Sequence, residues 1–218
     1  LCSLLNNNIY NPQKKYKYIK GEGCYIHLLN KYHIPVNNTK TKVNYKINFN
    51  MFPDDIILEL GSRDALDGID LYNKFKCNVY CFECNPSAIN VMKENIQFHN
   101  STNNKIKIIQ YAISNKNNNY MDFYPTIIDN IGASSLYRLE ENSTNQEIIE
   151  HTNRHIQKHI KVKAIRLETW INKYDIDYTK IKLICMDLQG GELNALESLG
   201  EYIKYVKIII CEGQYEKC

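Results

Sequence analysis

Residues 55–71 read DIILELGSRDALDGIDL, and residues 79–96 read VYCFECNPSAINVMKENI. In the first stretch an apolar run over 56–60 stops at Gly61. Ala65, Leu66, Ile69, Tyr72 and Phe75 then recur at helical spacing over about 64–76. In the second stretch an apolar run over 79–82 stops at Glu83, after which Asn85-Pro86 supplies an N-cap and a proline at the first helical position. Strand, glycine turn, helix, strand and acidic residue is how a parallel sheet builds a nucleoside site. The glycine lets a cofactor approach the backbone, the helix N-terminus offers free N–H groups, and a carboxylate about 20 residues on accepts the ribose hydroxyls. This arrangement alone does not separate a nicotinamide cofactor from S-adenosylmethionine.

Working outward, the pattern predicts a third strand over 106–109 that leads into Ala112-Ile113-Ser114. The βα alternation then breaks. Residues 120–124 alternate like a strand, 134–137 offer another, 139–159 are polar, and 159–165 alternate again. A short helix about 169–171 follows, then a fourth strand over 183–186 ending at Asp187. Gly190-Gly191 opens a helix with Leu193, Leu196 and Leu199 in register and Gly200 as its stop. A fifth strand over 206–211 ends at Glu212. Helices between core strands predict a parallel, doubly wound α/β sheet, with a β-containing insert between strands three and four. Such sheets bind ligands beyond the carboxyl ends of their strands, so Glu59/Gly61, Glu83, Ser114, Asp187 and Glu212 are expected to share one rim.

Residues 1–50 carry little periodicity and are read as an N-terminal arm or linker, with 51–218 as the catalytic domain. The chain lacks an initiator methionine, so it is expected to be cut from a longer polypeptide, and little follows the fifth strand, so a shortened C-terminus is expected. Its apolar edge is then to be covered by the insert strands, a homo-oligomeric partner or a neighbouring domain.

The blocks at 55–71 and 79–96, with IGASSLY (131–137), IRLETWI (165–171) and LICMDLQGGELNALESLG (183–200), resemble the successive motifs of the FkbM-type methyltransferases. The resemblance covers roughly 54–213. It implies a Rossmann-like fold of the class I methyltransferase type, S-adenosyl-L-methionine as cofactor, and O-methylation of sugars and related hydroxylated metabolites. It also implies cofactor contacts at Glu59, Gly61, Ser62, Arg63, Glu83, Cys84, Asn85, Ala112 and Asp187. Asp187 and Glu192 match the pair facing methyl donor and acceptor. Two positions depart from the pattern: Arg63 stands where a second glycine is usual, and Gln189 replaces the usual Glu before Gly190.

Chemistry supports this reading. Methyl transfer from a sulfonium is an in-line displacement, so positioning contributes most. A carboxylate within reach of a sugar hydroxyl adds about 10²–10⁴-fold as general base, and Asp187 is the best-placed candidate. The alternatives are a helix-capping Asp187 and a first-turn Glu192 that complements the helix dipole. The insert offers Tyr124, Ser134, Ser135 and Arg138, with Tyr120, Tyr137 and Asn130, as an acceptor wall of aromatic faces and polar partners. No resident metal is expected. His151, His155 and His159 share a helical spacing with Glu147 as the one further ligand at a matching offset, and Cys81-x-x-Cys84 spans a strand end, which points its sulfurs to opposite faces. A divalent cation joining Asp187 and Glu192 is left open.

Composition bounds the remaining classes. Net charge is +3, from 27 basic and 24 acidic residues, too balanced to predict a nucleic-acid partner. No apolar stretch reaches the ~18 residues a membrane helix needs. The eight cysteines fall partly inside predicted core strands, which suits a reducing, cytoplasmic setting. Alternative functions are a nicotinamide-dependent oxidoreductase, disfavoured because Gly61-Ser62-Arg63-Asp64 lacks the spacing a pyrophosphate needs, and a non-catalytic cofactor-binding interaction module.

Overall fold

The computed structural model describes residues 25, 26, 29, 49–99, 104–117, 120–125, 134–137 and 159–211. Asn130, Arg138, Glu147, His151, His155 and Glu212, named above, lie outside the described residues.

The predicted core strands form one parallel sheet. They are β1 (Ile56–Leu60), β2 (Asn78–Phe82), β3 (Ile106–Ile109), β8 (Ile181–Met186) and β9 (Ile208–Cys211), in the order β3-β2-β1-β8-β9. Between β3 and β8 the insert contributes β4 (Ala112–Ile113), β5 (Met121–Phe123), β6 (Ile160–Val162) and β7 (Ala164–Ile165). β4 pairs with β7 in parallel, and β5 with β6 antiparallel. The helices are α1 (Leu66–Phe75), α2 (Pro86–His99), α3 (Leu167–Lys173) and α4 (Glu192–Ser198). Among the described residues, β9 pairs only with β8, and its Ile209 is exposed.

Strand alternation splits the core in two. Ile57, Val79, Cys81, Leu183 and Cys185 pack beneath Ile69 of α1 and Met92 of α2. Ile56, Leu58, Leu60, Tyr80 and Phe82 pack on the other face against Leu167, Trp170 and Ile171 of α3. Trp170 is edge-on to both Tyr80 and Phe82, with centroids 5.1 and 4.9 Å away. Emptying such an aromatic site costs about 3–5 kcal/mol. Helices on both faces make the sheet doubly wound, as the sequence predicts.

Three details differ from the sequence reading. Tyr25, Ile26, Leu29 and Phe49, all from the stretch read as an arm, are buried in the α1-side core. Residues 134–137 form no strand and contribute an isolated bridge between Tyr124 and Ser135. In α4 the buried face is Ala195 and Ser198, with Leu199 just beyond, while Leu193 is 68% exposed. Leu193 lies two residues from Ala195, about 200° around the helix, so both cannot face the core.

The RLETW segment is a junction. Arg166 donates to the carbonyls of Asn115 (2.5 Å) and Glu197 (3.3 Å) and to the Glu168 carboxylate (3.3 Å). Leu167 N–H donates to Ser198 Oγ at 3.2 Å. These bonds tie the insert, the start of α3 and the end of α4 together.

Candidate active site at the strand ends

The strand order reverses between β1 and β8, and the loops that follow these two strands touch there. A Cβ built on Gly61 would lie 2.1 Å from the Asp187 carbonyl oxygen, and Gly61 has φ 81°. Glycine is thus required by the approach of one strand end to the other, before any cofactor is considered. Gly61 and Ser62 N–H both donate to the Phe82 carbonyl (3.0 and 2.9 Å), and Asp64 and Ala65 N–H both donate to the Ser62 carbonyl (2.6 and 3.0 Å). Asn95 of α2 donates to the Asp64 carbonyl at 2.8 Å.

Arg63, where glycine was expected, keeps a glycine-like φ of 54°, and Ala65 follows at 64°. A left-handed residue of this kind costs about 1–2 kcal/mol. The Arg63 guanidinium turns to the Asp64 carboxylate (3.2 and 3.1 Å), and the fields of Asp64, Asp67 and Asp187 keep it firmly protonated. Asp64 also accepts from Leu66 N–H at 3.2 Å, which closes the N-terminus of α1 with a carboxylate.

Glu59 does not reach the rim. It shares a strand face with its register neighbours Cys81 and Cys185, which turns it beneath α1, and it is 1% exposed. A Cβ on Gly68 would lie 2.5 Å from both Glu59 Oε2 and Cys81 Sγ. Ser62 Oγ donates to Glu59 at 2.6 Å. Burial, reinforced by the Asp67 charge, pushes the Glu59 carboxyl up to about 8. Glu59 and Ser62, expected as cofactor contacts, are thus bonded to each other beneath the loop.

Glu83 sits at the rim and clasps two loops. Its Oε1 accepts from Cys84 and Asn85 N–H, both at 2.7 Å, and its Oε2 accepts from Arg63 N–H at 2.9 Å. Burial holds its pKa above the usual value, against those three donors. A carboxylate has about four acceptor positions, so one remains. Asn85 caps α2 through Ser87 N–H (3.1 Å), as predicted. Cys84 packs towards the insert beside Ala112 and Phe123 while Cys81 lies under α1, so the two sulfurs part as strand alternation requires. The Ala112 N–H donates to the Lys163 carbonyl at 2.8 Å and is engaged in the insert.

Beyond β8 the loop is held by side chains. Glu192 accepts from Leu188 N–H (2.8 Å) and Gly190 N–H (3.1 Å), so both its oxygens clasp the loop that begins at Asp187. Gln189 Nε2 donates to Asp187 Oδ1 at 2.5 Å. Ser135 is buried, donating through Oγ to the Gln189 carbonyl (2.9 Å) and accepting from Tyr137 N–H (3.0 Å). Ser135 was expected to meet an acceptor and instead tethers the insert to this loop. Ser134 is half-buried beside it, and Asn194 of α4 donates to the Tyr137 hydroxyl. Tyr124, half-buried, stacks on His159 (5.6 Å, 21°), and His159 and Lys161 both contact the Asp122 carboxylate.

One residue near this site escaped the sequence reading. Burial drives the Tyr25 phenol well above its ordinary pKa, reinforced by Cys185, Glu59, Asp67 and Asp187, and its ring packs in the α1-side core that contains Cys185. The aperiodic stretch around it gave no signal. Among the described residues, no cluster of His, Cys, Asp and Glu is placed to hold a metal ion, Cys77, Cys81, Cys84, Cys185 and Cys211 are free thiols, and no helix is long and apolar enough to cross a membrane.

Several solved structures align with part of the chain. Precorrin-6y C5,15-methyltransferase from Geobacter metallireducens GS-15 is 11% identical over 35% of this chain and 47% of its own, with a TM-score of 0.26. TYW2 of P. horikoshii, in complex with MeSAdo, is 13% identical over 34% and 37%, at 0.25. YJHP from E. coli is 13% identical over 51% and 37%, at 0.28. The chain thus spans less than half the length of each. No curated protein matches it. The methyltransferase FkbM domain matches residues 62–217, more than half the chain and the whole span from the Gly61 loop through β9. With the doubly wound sheet and its acidic rim at the switch point, this chain belongs to the FkbM methyltransferase domain family.

Proposed function

We propose that the chain is an S-adenosylmethionine-dependent O-methyltransferase acting on a hydroxyl of a sugar or glycan, with Asp187 as general base. The observation that carries this reading is the meeting of Asp187 with the Gly61 loop at the switch point between β1 and β8, one strand away from Glu83. Ligands of open α/β sheets bind at that point.

The residues present fit the cofactor. Asp64, Glu83, Asp187 and Glu192 surround the strand ends, and the guanidinium of Arg63 is already held by Asp64. Such a rim favours a ligand bearing a sulfonium and an ammonium over one bearing a pyrophosphate. A dinucleotide also needs the N-terminus of α1, which Asp64 occupies. Glu83 has one acceptor position left for a ribose hydroxyl, backed by Cys84 and Asn85.

When bound, S-adenosylmethionine supplies an electrophilic methyl carbon. Asp187 takes the proton of the attacking hydroxyl, a step worth about 10²–10⁴-fold. Glu192 keeps the Asp187 loop closed and acts as a positioning residue. Tyr124, Tyr137 and Ser134 form the acceptor wall, since flat faces with a few polar groups suit a sugar ring. Incorporation of labelled methyl across a glycan panel and an RNA panel, at low and moderate salt, tests this reading. Transfer to sugars with little salt dependence supports it. Incorporation into RNA alone, lost as salt rises, contradicts it, because phosphate contacts weaken steeply with salt.

A further inference from the structure

We infer that Gln189 is a positioning residue that orients the Asp187 carboxylate and joins it, through Ser135, to the acceptor wall. The inference rests on the reading of Asp187 as the base. Three observations place Gln189 in this role. Its side-chain amide donates to Asp187 Oδ1 at 2.5 Å. Its carbonyl accepts from the buried Ser135 Oγ at 2.9 Å. Its backbone is left-handed, with φ 52°, a conformation a non-glycine residue keeps only where its surroundings hold it.

The chain of bonds is continuous. Ser135 also accepts from Tyr137 N–H, and its backbone pairs with Tyr124, whose N–H donates to the Ser135 carbonyl at 2.8 Å. Tyr124 and Tyr137 thus reach Asp187 through three hydrogen bonds, by way of Ser135 and Gln189. Glu192 holds the backbone of the same loop and touches neither Asp187 nor the insert in these bonds. Two groups therefore share the work: Glu192 fixes the loop and Gln189 aims the base.

The amide is the chemically important feature. A neutral N–H donor at 2.5 Å on Oδ1 favours the ionised form of Asp187. A carboxylate in its place would put two acids within hydrogen-bond distance, where like charges cannot both ionise freely and one retains a proton. The residue at 189 thus decides whether the base is charged at neutral pH, and the Ser135 link lets an acceptor seated on the insert influence how the base points.

The test needs no acceptor. Carboxyl carbons of aspartate are followed by NMR across pH in the full chain, with the Asp187 signal assigned by its loss in Asp187→Asn. Gln189→Glu should raise the midpoint of Asp187 by at least about one pH unit. Gln189→Leu, which keeps the volume and removes the donor, should raise it by a smaller amount. Ser135→Ala should speed solvent exchange of the Gln189 side-chain amide protons at least about tenfold. An Asp187 midpoint unmoved in both Gln189 variants overturns the inference, and unchanged amide exchange in Ser135→Ala overturns the link to the wall. The two claims fail separately. Undiminished turnover in Asp187→Asn removes the base, and with it any role for Gln189. Lost turnover in Asp187→Asn with an unmoved midpoint in the Gln189 variants overturns Gln189 alone.

Discussion

The loops after β1 and after β8 meet at one switch point and are held by different means. The loop at 61–65 has four backbone N–H groups paired on the Phe82 and Ser62 carbonyls, with the Glu83, Asn95 and Glu59 side chains added around that backbone frame. The loop at 187–191 is fastened by side chains: Glu192 on two N–H groups, Gln189 on Asp187, and Ser135 reaching in from the insert. Backbone fastening survives most substitutions. Side-chain fastening changes with every residue that supplies it.

The contrast is sharpest at the two glycines. Gly61→Ala places a methyl 2.1 Å from backbone at φ 81°, whereas at Gly190, φ 100°, the nearest atom is 3.7 Å away on the Tyr137 ring. We expect Gly61→Ala to cost about 3 kcal/mol or more, clash and backbone strain together. Gly190→Ala carries the backbone term alone, about 1–2 kcal/mol. Urea denaturation of both variants checks this, and equal losses would break the comparison.

Next in size is Asp187→Asn. It keeps the shape of the loop and removes the base, so turnover should fall at least about a hundredfold, or ~2.7 kcal/mol, while affinity for S-adenosylhomocysteine stays within about twofold. Surviving turnover would make Asp187 a loop residue like Glu192.

The smallest effect concerns Glu59, beneath the backbone-fastened loop. Its carboxyl is raised from 4.5 to about 8 in the folded chain, so between those values the native state binds the extra proton. The stability tied to neutral Glu59 is complete below about pH 4.5 and is lost as pH rises through about 8. Glu59→Gln should abolish that loss. The urea midpoint of wild type should fall relative to the variant between pH 5 and 8.5, by the equivalent of at least about 1 kcal/mol. Parallel pH profiles would show Glu59 ionised and otherwise compensated.

Local signals carried much of this molecule. The five sheet strands, the Asn85 cap and the placing of Glu83 at a strand end all follow from runs of a few residues and were readable as such. What escaped depends on partners far along the chain. Gly61 was read as room for a cofactor, but its first duty is to the carbonyl of Asp187, which becomes a neighbour only once β8 docks on β1. Glu192 was read as a site group from the family motif and Ser135 from the polar residues of the insert, and the backbone N–H donors that both accept are invisible to a motif. Leu193 fitted a helical stripe on paper, but a seven-residue helix lying over Ala195 and Ser198 has no second face to bury. Tyr25 joins the core from a stretch whose lysine- and asparagine-rich composition hides any period.

The central claim is that the strand-end rim takes S-adenosylmethionine. Isothermal calorimetry of the full chain with S-adenosylhomocysteine and with NAD tests it most directly. The account predicts heat of binding and a raised Tm with S-adenosylhomocysteine, and neither with NAD. It also predicts that Glu83→Ala, once shown to melt as a folded protein, weakens that binding by about 1.5–3 kcal/mol, the scale of hydrogen bonds to a charged group. Saturable binding of NAD, or S-adenosylhomocysteine bound as tightly without Glu83 as with it, would contradict the account.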